Sequence, residues 1–245
     1  MIELNLEISL DGAQIEALLL HPDEAEYPGV VFYTDVWGVR PANIGQARRL
    51  AEKGFAVLVP NIFWRWSRNQ PNGFEVENHD EKMKRLGELF AALTSDDQEK
   101  DGGAYVDFLL KQPGVKQGKI GAVGYCYAGQ MALRTAAARP DKVAAAASFH
   151  GGFLVTDKSD SPHKILPRIK ARLYFGHAVE DASATPEQVA TLEQALRDWH
   201  GAFQSEVYEG AQHGWTVPGR DVYNELQAER AFEKEVELFE TTLED

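Results

Sequence analysis

The sequence predicts an α/β protein: a mostly parallel sheet of about eight strands, opened by an antiparallel hairpin at the amino end and covered by helices on both faces. Three observations carry that expectation. Short unbroken apolar runs recur along the chain, as strands buried on both faces require. Stretches with apolar residues at helical spacing lie between those runs, and a different, alternating pattern occupies the amino end.

Taken in order, Glu3-Leu4-Asn5-Leu6-Glu7-Ile8 and Gln14-Ile15-Glu16-Ala17 alternate polar with apolar residues, and Asp11-Gly12 between them is the dipeptide of a tight two-residue hairpin turn. Val30 to Tyr33 is the first buried run. Ile44, Ala47, Leu50 and Ala51 form a helical stripe closed by Gly54, where a C-terminal glycine belongs. Phe55 to Val59 is the next strand, and 61–80 a long irregular stretch read as lid-like. Tyr105, Phe108 and Leu109 predict a helix stopped by Pro113-Gly114; Ile120 to Val123, a strand; Met131 to Ala138, a helix stopped before Pro140. The strand Val143 to Phe149 and a second irregular stretch, 150–168, lead to the strand Arg172 to Phe175. A helix on Val189, Leu192, Ala195, Leu196 and Trp199 and a short strand, Gln204 to Tyr208, follow. Leu226, Ala228, Phe232, Val236 and Phe239 mark a last helix, acidic and expected to be exposed. No linker or internal repeat divides the chain, so 1–245 reads as one domain.

A chain of 245 residues, 44% hydrophobic, buries enough surface to fold without disulfides or metal. Its net charge of -13 opposes nucleic acid and anionic lipid, because affinity for polyanions comes mainly from Lys/Arg contacts to phosphate. No apolar run reaches the roughly 18 residues of a membrane-spanning helix. With a single cysteine and no signal-peptide pattern at the amino terminus, a cytoplasmic location is expected, as a monomer or homodimer acting on a small molecule.

The lone cysteine, Cys126, lies in Ala122-Val123-Gly124-Tyr125-Cys126-Tyr127-Ala128-Gly129, where a strand runs directly into a helix. That is the setting of a nucleophile elbow. A sharp strained turn presents the nucleophile, and small residues two positions to either side let the strand and helix backbones approach. Gly124 and Ala128 occupy those positions. A helix N-terminus also favours thiolate over thiol.

An α/β-hydrolase orders its triad as nucleophile, acid, base. Of seven histidines, His213 lies in the loop after Gln204 to Tyr208 and is the candidate base. His150 and His177 also lie at carboxyl ends of strands, where open-sheet sites form, and read either as supports behind the catalytic groups or as structural. Asp181, in Phe175-Gly176-His177-Ala178-Val179-Glu180-Asp181, is the candidate acid that fixes the His213 tautomer, with Glu180 as a substitute. The oxyanion donors are expected to be the backbone amides of Tyr127, next to the nucleophile, and Val36, in the loop Thr34-Asp35-Val36-Trp37-Gly38.

These residues together resemble the dienelactone hydrolase family, thiol members of the α/β-hydrolase fold that open unsaturated lactones. The likeness spans nearly the whole chain. Gly124-Tyr125-Cys126-Tyr127-Ala128-Gly129 matches the family elbow except at Ala128, and Cys126, Asp181 and His213 match its triad. The resemblance implies that Asp35 stands where the family has an acidic residue that contacts the resting cysteine, usually a glutamate. It also implies that Arg65, in Pro60-Asn61-Ile62-Phe63-Trp64-Arg65, binds a substrate carboxylate. The family's second arginine position is Val217, with Arg40, Arg68 and Arg220 as unmatched replacements. Trp37, Trp64, Trp66 and Trp215 are expected in loops around the site, with Trp37 and Trp215 lining the pocket.

The expected activity is therefore hydrolysis of a lactone or carboxylic ester through an acyl-enzyme on Cys126, with no cofactor and no metal. A small-acyl carboxylesterase without lactone activity and a non-catalytic thiol redox sensor are the alternatives.

Overall fold

Asp11 and Gly12 both take positive φ (51° and 72°), the backbone twist that lets two strands fold back on each other. In the computed structural model, which describes residues 1–66 and 79–243, that turn joins β1 (Ile2–Leu10) to β2 (Ala13–His21) as an antiparallel pair in continuous register from Ile2↔His21 to Leu10↔Ala13. Six further strands follow: β3 (Gly29–Tyr33), β4 (Ala56–Pro60), β5 (Ile120–Tyr125), β6 (Val143–Phe149), β7 (Arg172–Ala178) and β8 (Phe203–Tyr208). They complete an eight-stranded sheet of order β1-β2-β4-β3-β5-β6-β7-β8, parallel from β4 to β8, with β2 pairing antiparallel to β4.

Helices cover both faces. On one lie α3 (Ser95–Leu109), α4 (Gly129–Ala138) and α5 (Pro186–Trp199), which bury Tyr105, Leu109, Met131, Leu133, Leu192 and Leu196 against Val31, Leu58 and Ala146. On the other, α1 (Pro41–Glu52) and α6 (Glu225–Leu243) bury Leu50, Ala51, Leu238 and Phe239 against Val30, Val57 and Val123. The side chains of β3, β4 and β5 alternate between these two cores, which is why their sequences are continuously apolar.

One helix has no counterpart in the sequence reading: α2 (His79–Ala92) precedes α3 and buries Leu89 on the α3/α4 face. The lid-like reading of 61–80 falls largely on 67–78, outside the described residues, as does Arg68. Among the described residues no helix is long and apolar enough to cross a membrane.

The last helix corrects an expectation. It is acidic but half-buried, and Glu235 lies fully inside the α1/α6 core, where Tyr125 Oη donates to its Oε2 at 2.6 Å. Burial pushes its carboxyl up to about 7, against the opposing pull of the Tyr125 hydrogen bond and of Arg49. The folded state thus holds a proton that the unfolded chain gives up near 4.5, and stability falls as pH rises between the two values. Glu235→Gln removes that dependence: its stability relative to wild type should rise by about 3 kcal/mol between pH 5 and pH 8, read from denaturant titrations at the two pH values. A pH-independent difference would contradict it.

Candidate active site

Cys126 closes β5 and opens a 3₁₀ turn, Cys126–Ala128, that leads into α4. Its φ of 58° is left-handed, a conformation costing a non-glycine residue on the order of 1–3 kcal/mol. The sharpness of the turn explains its neighbours. A Cβ on Gly124 would run into the carbonyl oxygen of Ala128, so position 124 admits only glycine, whereas the Ala128 side chain fits in a fully buried place. The departure from glycine at 128 leaves the elbow intact.

The loops after β7 and β8 bring the other two groups to the half-buried thiol. Val179 N–H donates to Ala211 O at 2.9 Å and clips one loop to the other. His213 Nε2 then lies 3.0 Å from Cys126 Sγ, and His213 Nδ1 2.6 Å from Asp181 Oδ2. Burial alone lowers the His213 pKa, but hydrogen bonds to Asp181 and Cys126, with their charges, outweigh it and lift the imidazole to about 10. Asp181 is buried, which raises its carboxyl. The hydrogen bonds from His213 and from Ser183 more than reverse that, and the net direction is down. The arrangement favours a proton on His213, held between the Cys126 sulfur on one side and the Asp181 carboxylate on the other.

Two residues near this line carry no sequence signal of their own. Ser183 donates through Oγ to Asp181 Oδ1 at 2.7 Å, its amide reaches the same oxygen at 2.8 Å, and the carboxylate is thereby oriented toward the imidazole. His150, read as a support of the catalytic groups or as structural, touches Cys126 itself: the Cys126 amide donates to His150 Nδ1 at 3.1 Å, and His150 Nε2 lies 2.8 Å from Thr216 Oγ1. The parallel register Tyr125↔Phe149 between β5 and β6 is what sets residue 150 beside residue 126, a relation a sequence does not display. His177 sits elsewhere, buried and stacked on Phe175, with burial lowering its pKa to about 4.

In the loop after β3, the Asp35 carboxylate is buried and holds Arg40 at 2.5 Å and the Trp37 amide at 3.0 Å, while the Asp35 carbonyl accepts from Gly38 N–H at 3.0 Å. Asp35 is thus a hinge of this loop paired to arginine rather than to the thiol. Trp37 is partly buried beside this turn, with the Arg220 guanidinium 5.7 Å above its ring.

Two binding expectations are corrected. Trp215 is fully buried, stacked on Tyr208 at 4.9 Å and edge-on to His150 at 5.0 Å, so it braces His150 from behind rather than presenting its ring to solvent. Arg65 is saturated by carboxylates: Asp101 at 2.6 Å, Asp11 at 2.9 Å and Asp97 at 3.4 Å, with its guanidinium 4.2 Å over the Trp64 ring. Nε and Nη2 are thus spent on Asp101 and Asp11, and Nη1 faces Asp97, so a substrate carboxylate would have to compete with three protein carboxylates. Its partner Asp101 is fully buried, so Arg65→Ala leaves an uncompensated charge and should destabilise the protein by about 3 kcal/mol. Its effect on turnover should be equal for neutral and carboxylate-bearing esters; a loss confined to the anionic ones would contradict this. Val217 is fully buried as well. An aromatic cluster lies around the side chain of the next residue, Tyr127. A cavity of about 590 Å³ adjoins Tyr127 and is bounded by Phe90, stacked on Tyr127 at 4.5 Å, and by Phe153. Among the described residues no group of three His, Cys, Asp or Glu is placed to hold a metal ion.

Comparison with known proteins bears on the family and the fold. A carboxymethylenebutenolidase of Rhodococcus opacus is 28% identical over 227 residues, covering 87% of this chain and 81% of that one. Two solved structures share the fold. A dienelactone hydrolase from Anabaena variabilis superposes with a TM-score of 0.71 at 20% identity, covering 99% and 98% of the two chains. A dienelactone hydrolase-like promiscuous phosphotriesterase from metagenomic libraries gives 0.80 at 21% identity, covering 98% of each. The model of the dienelactone hydrolase family matches residues 15–243, nearly the whole length, and the chain belongs to that family of α/β-hydrolases.

Proposed function

We propose that the protein hydrolyses a lactone or carboxylic ester through a covalent acyl-enzyme on Cys126. The observation that carries this reading is the continuous line from Cys126 Sγ to His213 Nε2 at 3.0 Å and from His213 Nδ1 to Asp181 Oδ2 at 2.6 Å. The Cys126 sulfur, its proton resting on His213, attacks the carbonyl carbon and forms a C–S bond. The tetrahedral oxyanion is held by the Tyr127 amide at the head of the elbow and by the Val36 amide. Within that loop the Trp37 and Gly38 amides are already committed to Asp35, and Val36 is the donor next in line.

Collapse of the oxyanion breaks the C–O bond, and His213 passes its proton to the leaving alkoxide. His213 Nε2, now neutral, takes a proton from water, the hydroxide attacks the thioester, and Cys126 leaves as thiolate while His213 again carries the proton. The sum is ester plus water giving acid plus alcohol. In a lactone the alcohol stays tethered to the acid.

Because Arg65 is bound up and Val217 is buried, neutral esters and lactones are favoured over substrates that depend on a carboxylate anchor. Turnover of an aryl acetate and of an enol lactone by wild type and by Cys126→Ala tests the proposal. Both activities should disappear together, and turnover that survives the substitution would overturn it.

A further inference from the structure

We propose that His150 is a positioning residue for the nucleophile: its neutral imidazole, with the ring proton on Nε2 toward Thr216, accepts the backbone N–H of Cys126 and holds the elbow in its reactive shape. The inference rests on Cys126 being the nucleophile. The Cys126 amide is a donor and can make its 3.1 Å contact only with an unprotonated Nδ1, so the ring proton sits on Nε2 and is donated to Thr216 Oγ1 at 2.8 Å. Thr216 is itself tied down, its carbonyl accepting Gln46 Nε2 from α1 at 2.9 Å.

Two strained residues face one another across this contact, Cys126 at φ 58° and His150 at φ 40°, and the hydrogen bond joins them. His150 N–H in turn donates to Gly176 O at 2.7 Å, and Gly152 N–H donates to Cys126 O at 3.2 Å, so the β6 loop grips the elbow at both its amide and its carbonyl.

The surroundings suit a neutral ring. His150 is buried 5.1 Å from the His213 ring, with the thiol of Cys126, the Asp181 carboxylate and the Arg220 guanidinium as the other charged or titratable groups around it. Burial first, then His213 and Arg220, hold its pKa well below the ordinary value. A protonated ring would lose the Cys126 contact and set a second cation beside the His213 imidazolium on which the thiolate depends.

The test compares His150→Phe, which keeps a ring without an acceptor, with His150→Asn, whose Oδ1 takes the place of Nδ1 and cannot be protonated. His150→Phe should lower kcat for an aryl acetate by about 100-fold with KM little changed, the scale expected when a reacting atom is misplaced by an ångström. His150→Asn should recover most of that loss. Should His150→Phe fail to fold, ¹⁵N NMR of wild-type imidazoles gives the answer directly, with Nε2 protonated and Nδ1 bare. Wild-type turnover in His150→Phe, no recovery in a folded His150→Asn, or an Nδ1–H tautomer would each overturn the proposal. Activity that depends on Cys126 but ignores His150 defeats this inference alone; activity indifferent to Cys126→Ala defeats the mechanism beneath it.

Discussion

Cys126→Ala should leave no more than about one part in 10⁴ of wild-type kcat toward any ester the protein turns over, the order of loss seen when the nucleophile of a catalytic triad is removed. Alanine fits the strained turn no worse than cysteine does. The thiol is only half-buried, so its loss costs little packing, and melting temperature and far-UV circular dichroism should match wild type. What remains after the substitution is whatever binding and oxyanion contacts supply without the nucleophile. A folded variant with undiminished kcat would remove the acyl-enzyme from consideration.

His213→Ala should change the pH dependence of Cys126 reactivity more than its maximum. In wild type the imidazole, lifted from 6.5 to about 10 by Asp181 and the Cys126 sulfur despite burial, keeps its proton throughout the neutral range, 3.0 Å from the sulfur. A cation beside the sulfur favours its reactive form, so alkylation by iodoacetamide should fall less steeply from pH 9 to pH 6 in wild type than in the variant, and with one cysteine in the chain the label reports a single site. Without His213 the thiol must ionise alone. An ordinary thiol is less than about 1% thiolate at pH 6, so alkylation of the variant should fall about 100-fold between pH 9 and pH 6. Superimposable profiles would mean that His213 does not support the thiolate.

The same pair has a thermodynamic signature. His213 binds its proton more tightly folded than unfolded, so its contribution to stability is complete below 6.5 and is lost as pH rises toward about 10. Asp181 acts in the opposite sense: its depressed carboxyl contributes above the ordinary aspartate value of 3.8 and loses that contribution as the solution becomes more acidic.

The parts legible in the sequence are those in which a local pattern has a single physical cause. Val143 to Phe149 is apolar throughout because β6 is buried between two helical layers, and its predicted bounds match the observed ones. Gly124 stands two residues before the cysteine because a Cβ there meets the Ala128 carbonyl. Asp11-Gly12 turns a hairpin because both residues accept positive φ. Where the cause lies elsewhere in the chain, the sequence is silent or points the wrong way. Arg65 reads as a free guanidinium until the fold brings Asp11, Asp97 and Asp101 around it. Trp215 reads as a pocket residue until β8 and His150 enclose it. Glu235 reads as one more surface charge on an acidic helix, and only the position of Tyr125 on the neighbouring strand shows it to be inside. His150 is the sharpest case, since its contact with Cys126 depends on the register of β5 against β6 and on nothing in its flanking residues.

The central claim is that the sulfur of Cys126 carries the acyl group during turnover. Rapid acid quenching of the protein mixed with excess aryl acetate, followed by intact-mass and peptide mass spectrometry, examines it directly. One acetyl group per chain, located on the peptide that contains Cys126 and absent from Cys126→Ala, is the expected result, and it should accumulate further in variants slow to deacylate. Steady ester turnover with no acyl adduct on that peptide, or with the adduct on another residue, would contradict it.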